Sequence, residues 1–167
     1  MSGGDRRVAM DLAGYERRVR TGRCFICAFV AGEPGYEHVL VYDDGVHVAW
    51  LNRYPTLRGY TLVAPRRHVE DVVGGLGPEE YLAMQGVVHL VARAVAEVVR
   101  PERTYLLSLG SMQGNAHVHW HVAPLPPGVP YGEQQYRALM AERGILDLAP
   151  GEFEALGADI RAALERP

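Results

Sequence analysis

A chain of 167 residues with 48% hydrophobic and 22% charged side chains is sufficient for one domain with a packed core. Its formal net charge of −3 excludes a general nucleic-acid binder, which needs a basic face to displace counterions, but not a small phosphate ligand. No apolar run approaches the roughly 18 residues that cross a bilayer, no hydrophobic segment follows Arg6-Arg7 as a leader requires, and two cysteines do not make a disulfide scaffold, so a soluble cytoplasmic protein with no membrane partner is expected.

In chain order, residues 1–9 read as a flexible tail, and Asp11 to Arg20 as a short amphipathic helix with Leu12, Tyr15 and Val19 on one side. Cys24-Phe25-Ile26-Cys27 follows, then a Gly-Glu-Pro-Gly turn at 32–35. Val39-Leu40-Val41-Tyr42 and Val46-His47-Val48-Ala49-Trp50 flank Asp43-Asp44-Gly45, the pattern of a β-hairpin; a third strand over 59–64 stops at Pro65. Pro78 suits the first position of a helix, with Glu79 and Glu80 at its positive end. Tyr81, Met84, Val88, Val91, Val95 and Val98 recur at alternating steps of three and four, one buried helix face that ends before Pro101. Strands are expected at 104–109 and 116–123. Pro124, Pro126, Pro127 and Pro130 then end the sheet, and helices are expected at 133–143 and 151–165. Hairpins with one crossing helix predict an antiparallel α+β domain.

The chemistry concentrates in His117-Val118-His119-Trp120-His121-Val122. On a strand, alternation puts the three imidazoles on one face, lining an accessible surface or cleft, and Val118, Trp120 and Val122 on the other, against the core. Half-buried filler and a catalytic metal site are the competing readings. Neighbours on one strand face stand about 6.5–7 Å apart, and His117 and His121 about 13 Å, so one ion reaches two of the three at most. A nucleophilic role uses the third: neutral imidazole attacks phosphorus well, and its ordinary pKa near 6.5 leaves it largely unprotonated at neutral pH.

His117-Val-His-Trp-His121-Val-Ala resembles the signature of the histidine-triad family, His-φ-His-φ-His-φ-φ with φ apolar. Trp50-Leu-Asn52-Arg-Tyr-Pro55-Thr-Leu-Arg-Gly59-Tyr-Thr-Leu-Val-Ala-Pro65-Arg-Arg-His68 resembles the family's second block. The resemblance runs from about Cys24 to Pro124. It implies a five-stranded antiparallel sheet with a long helix, usually dimerised into a continuous ten-stranded sheet. The division it suggests is a tail over 1–9, a histidine-triad domain over 10–124, and a C-terminal helical extension over 125–167 packed on the same domain. It also implies that His119 is the nucleophile, His121 a phosphate-contacting partner, Asn52 a ribose ligand and Trp50 a wall of the base pocket. Asn52 as a turn residue and Trp50 as plain core remain alternatives. The implied function is a nucleotide-phosphate hydrolase acting through a nucleotidyl-histidine on a purine dinucleoside polyphosphate or nucleoside phosphoramidate. His121, where the uridylyltransferase branch has glutamine, favours hydrolysis over sugar-nucleotide transfer. A dinucleoside polyphosphate phosphorylase or nucleotidyltransferase and a non-catalytic nucleotide-binding module are the alternatives. No organic cofactor is implied.

The chain departs from the family pattern at two places. The phosphate loop reads Gly110-Ser-Met-Gln113-Gly-Asn115-Ala, so Gln113 matches the family glutamine while Gly114 replaces the usual hydroxyl residue. Asn115 either presents its amide to a phosphate or simply forms a turn. Gly59-Tyr60 stands where Gly-His is usual. Taken alone, Cys24 and Cys27 suit buried thiols or a redox pair. Many bacterial members, however, combine such a Cys-x-x-Cys with the histidine closing the Pro-x-x-His block and the first triad histidine. Here these are His68 and His117, and the resemblance implies a closed, structural Cys2His2 zinc set. His38, His47 and His89 read as structural or solvated.

Overall fold

The computed structural model describes residues 6–166. In chain order the elements are β1 (Arg7–Val8), α1 (Leu12–Thr21), α2 (Phe25–Val30), β2 (Leu40–Asp43), β3 (His47–Leu51), β4 (Thr61–Pro65), α3 (Pro78–Val99), β5 (Arg103–Ser108), β6 (Trp120–Leu125), α4 (Tyr136–Leu139), β7 (Ile145–Leu146) and α5 (Pro150–Leu164). Five strands form one antiparallel sheet in the order β2-β3-β4-β6-β5, and β1 pairs with β7. The expected hairpin forms: Asp44 takes the backbone N–H groups of Val46 and His47 into its carboxylate, and Gly45 turns the chain at φ 83°.

The helix read from period 3.6 is α3. Met84, Val88, Val91 and Val95 are buried as expected, joined by Val87, Ala92 and Ala94, whereas Tyr81 at its start is exposed. Glu80 accepts the Gly77 N–H at 2.8 Å and so completes the start. Arg100, left-handed at φ 49°, closes the end before Pro101. By length and composition α3 is apolar enough to cross a bilayer, although charged residues interrupt its apolar run. Its buried face instead packs with Ala49, Val63, Trp120 and Val122 of the sheet and with Leu156, Ile160 and Ala163 of α5.

The structure corrects four expectations. Residues 6–8 are held: the Arg6 carbonyl accepts the Asp147 N–H, β1 pairs with β7, and the Arg7 guanidinium donates to the Thr56 and Gly144 carbonyls at 2.7 and 2.9 Å. The first part of the expected tail, 1–5, lies outside the described residues. The last long strand starts at Trp120, not 116, because the stretch before it has no ladder partner; Val118 N–H goes to the Val69 carbonyl instead. Pro124 lies inside β6, paired with Thr104. It is tolerated there because β4 has already ended, its last pair being Thr61 with Val122, so no ladder needs the missing N–H. The helix expected at 133–143 is broken into short 3-10 turns around α4, with Gln135 at φ 57° donating its N–H to the Tyr105 hydroxyl.

Register positions the site. Trp50 pairs with Leu62, Leu62 with His121, and His121 with Leu107, one row across four strands on one face. α2 covers part of that face: Ile26 packs with Val48, Trp50, Leu62 and Ala64. Trp120 and Val63 belong to the opposite face, against α3.

Candidate active site and metal centre

Four predicted ligands converge. Cys24 precedes α2, Cys27 lies in its first turn, His68 follows β4, and His117 sits on the approach to β6. Cys24 Sγ is 3.4 Å and Cys27 Sγ 3.6 Å from His117 Nδ1, Cys27 Sγ is 3.3 Å from His68 Nδ1, and all four donor atoms lie within 4.8 Å of one another. A tetrahedron with zinc–ligand bonds of about 2.0–2.3 Å has edges of about 3.4–3.8 Å. The outer nitrogens fit as well. His117 Nε2–H donates to the Pro65 carbonyl at 2.9 Å and His68 Nε2–H to Glu70 at 3.0 Å, which leaves each Nδ1 lone pair facing the thiols. Burial holds His117 down at about 4, so it is neutral, as a ligand must be. Burial also pushes the Cys27 thiol up to about 11, with adjacent Cys24 adding to it: two crowded sulfurs ionise readily only beside a cation.

His119 lies next to this cluster and is buried, 4% exposed, contrary to the open cleft expected of the triad. Its Nδ1–H donates to the His117 carbonyl at 2.6 Å, and since a carbonyl only accepts, the free lone pair is on Nε2. Burial lowers its pKa against the opposing pull of that hydrogen bond, so the ring is neutral at neutral pH. The His121 ring is 4.9 Å away. Its Nδ1 lies 2.9 Å from the Tyr60 hydroxyl, while its Nε2 is buried with no hydrogen-bond partner among the described residues. Burial first, and His119 second, push it down to about 3. His117 is thus separated in task from the other two: its ring belongs to the thiol cluster, 4.8 Å from the His68 ring.

Phe25, whose ring is 6.2 Å from that of His119, and Leu62, paired with His121, line a cavity of about 300 Å3 that takes in Trp50, Asn52 and Asn115 among the predicted residues but neither histidine itself. Trp50 is fully buried, its ring packed by Phe25, Phe29 and His38, so it forms the floor of the cavity and also belongs to the core. Asn52 Oδ1 accepts the Tyr54 N–H at 3.0 Å, so the turn role and a place on the cavity wall coexist. Asn115, left-handed at φ 57°, gives its amide to the Tyr15 hydroxyl at 2.7 Å. Gln113 is exposed, does not line this cavity, and donates its backbone N–H to Ser111. Sequence reasoning missed the other walls. Tyr15 and Arg18 of α1 lean on Tyr54, ring to ring at 5.7 Å and through a 3.1 Å hydrogen bond to its hydroxyl. His38, expected to be structural or solvated, lines the cavity too, and burial lowers it to about 4.

A family model described as the HIT domain matches residues 34–127. An uncharacterized HIT-like protein of Mycobacterium tuberculosis is 31% identical over 144 residues, covering 84% of this chain and 92% of the relative. Among solved structures, a hypothetical histidine triad nucleotide-binding protein of Sulfolobus tokodaii superposes with a TM-score of 0.68 at 25% identity, covering 85% of this chain and 92% of that one. A zinc-bound histidine triad family protein of Mycobacterium smegmatis superposes at 0.65 with 28% identity, covering 84% and 92%. The matched model spans more than half of the chain and takes in the second block and the triad, so the chain belongs to the histidine-triad family.

Proposed function

We propose that this protein is a nucleotide-phosphate hydrolase that works through a nucleotidyl-histidine on His119, with a purine dinucleoside polyphosphate or a nucleoside phosphoramidate as substrate. The observation that carries this reading is the His119 tautomer: Nδ1–H is committed to the His117 carbonyl, so Nε2 presents its lone pair. Nε2 attacks the α-phosphorus; the N–P bond forms as the bond to the leaving group breaks. A polyphosphate leaves as its anion, and an amine takes its proton from solvent. The modified ring is an imidazolium, and its Nδ1–H stays on the carbonyl that stabilises it. Water then attacks phosphorus: a P–O bond forms as the N–P bond breaks, the water's proton goes to solvent, and the lone pair returns to Nε2. His121 faces the phosphoryl oxygens, and the aromatic cavity with Asn52 takes the nucleoside.

The Cys24, Cys27, His68 and His117 set holds a structural zinc in this reading, supported by the donor set, its outer hydrogen bonds, and the zinc in the Mycobacterium smegmatis relative. Four protein ligands leave no position for a reactive water, so the metal would tie α2 to β4 and β6 and take no part in the phosphorus chemistry. Two copies join through α3 and the edge strand β5; exposed Leu82, Tyr81 and Leu90 on the helix and Leu106 on the strand support this.

Adenosine 5′-phosphoramidate and a diadenosine polyphosphate are the assay substrates. The expected result is turnover by the wild type, none by His119→Ala, and an adenylyl mass on the His119 peptide in quenched single turnovers. Nucleotide binding without turnover by well-folded, metal-replete wild type, or an adduct on another residue, overturns the proposal.

A further inference from the structure

Tyr60 is the departure from the family pattern that the structure places closest to the chemistry. Its backbone is pinned, N–H to the Leu57 carbonyl at 3.1 Å and carbonyl accepting the Asn52 N–H at 2.8 Å. Its ring, 5% exposed, packs with Leu57, Ala123 and Leu125, and the last two share the β6 face that carries His121. Its hydroxyl lies 2.9 Å from His121 Nδ1.

We propose that Tyr60 is a positioning residue that donates its hydroxyl proton to His121 Nδ1 and thereby locks His121 as the Nε2–H tautomer, a fixed hydrogen-bond donor for a phosphoryl oxygen. The inference rests on the hydrolase reading for what the donor meets, but not for the tautomer. Hydrogen-bond accounting carries it. With the phenol donating to Nδ1, the one group of this pair left unmatched among the described residues is the buried Nε2–H, and a phosphoryl oxygen is its natural acceptor. In the opposite tautomer Nδ1–H donates to the phenol oxygen. The phenol proton then has no acceptor among the described residues, and Nε2 presents a bare lone pair that repels phosphate. Leaving a second buried polar group unmatched costs enough for the Nε2–H form to dominate by about tenfold or more. Ionisation does not disturb this order. Burial pushes the Tyr60 phenol up to about 12 and holds His121 down at about 3, so at neutral pH one keeps its proton and the other stays neutral. The role is hydrogen bonding alone, and no proton leaves either ring during turnover.

Tyr60→Phe keeps the ring in the core and removes only the hydroxyl. Long-range 1H–15N correlation of 15N-histidine protein reads the tautomer directly. The wild type should show His121 as Nε2–H, and Tyr60→Phe should convert it to a mixture or to Nδ1–H while the other histidine signals stay in place. In turnover assays Tyr60→Phe should lose about 10- to 100-fold in kcat with KM changed less than threefold, the pattern of an interaction made in the transition state. An Nδ1–H tautomer in the wild type, or an unchanged tautomer in well-folded Tyr60→Phe, overturns the inference. A tautomer change in a protein whose wild type hydrolyses no nucleotide supports the Tyr60–His121 hydrogen bond and overturns the hydrolase reading instead.

Discussion

Gly59 joins the turn after Asn52 to β4, and its replacement by alanine should be among the costliest small changes in the protein. Two separate terms act there. The residue sits at φ 81°, where a Cβ costs about 1–2 kcal/mol. That Cβ would also stand 2.8 Å from Val99 Cγ1 and 3.6 Å from both Val95 Cγ1 and Pro124 Cγ, on stiff side chains that cannot swing away. Overpacking of this kind costs about 1–3 kcal/mol. The sum, about 2–5 kcal/mol, is a large share of the ~5–15 kcal/mol that holds a domain together. At roughly 2–4 °C per kcal/mol for a domain of this size, the melting temperature should fall by about 4–20 °C. Gly45→Ala is the control: φ is 83° but nothing lies within 4 Å, so only the backbone term of about 1–2 kcal/mol applies. Gly86→Ala, on the exposed side of α3 with open space around it, should stabilise by about 0.5–1 kcal/mol. Urea titrations of all three at saturating zinc, with m compared between variants, separate the terms. If Gly59→Ala costs no more than Gly45→Ala, the contact with Val99 is not limiting and the packing account is wrong.

Metal analysis should give about one zinc per chain in the wild type and none in Cys24→Ser, with chelation lowering the melting temperature of the wild type only. Burial raises the Asp44 pKa, but hydrogen bonds from the His47 ring, the His47 and Val46 backbone N–H groups and the Tyr42 hydroxyl outweigh it and hold the carboxyl well below its ordinary 3.8. Its contribution is therefore complete above that value and lost as pH falls below it. Asp44→Asn should cost about 1–2 kcal/mol at pH 7, the deficit shrinking in urea titrations taken toward pH 2. Leu82→Glu places a charge on the exposed apolar side of α3 and should turn a dimer into a monomer by light scattering, without loss of helical circular dichroism.

The parts of the fold legible in sequence are those where one periodicity meets one partner surface. α3 shows its stripe and the hairpin its Asp43-Asp44-Gly45 turn because both signals are local. The start of β6 is different. His117-Val118-His119-Trp120 alternates as a strand does, yet a strand exists only where a neighbour offers a ladder, and β5 and β4 first meet the segment at Trp120. Alternation at 117–119 still sends Val118 to the core; what it does not reveal is that His117 turns its ring to Cys24 and Cys27. The metal set was visible through the family pattern, not through spacing alone, since 93 residues separate Cys24 from His117. Tyr15 and Arg18 were invisible as cavity walls because α1 buries none of its residues fully; its apolar side covers the cavity instead of the core. Tyr60 showed only as a missing histidine, and its meaning appeared once Ala123, Leu125 and His121 stood on one face beside it.

His117 answers to two masters through two different parts of itself. Its ring is shared with the thiols, and its carbonyl orients the ring of His119. Any replacement that evicts the imidazole also loosens the peptide whose carbonyl orients the His119 ring, so one substitution here disturbs two contacts. The thiol cluster thus anchors the chain two residues before His119, on a stretch that no strand pairing holds among the described residues.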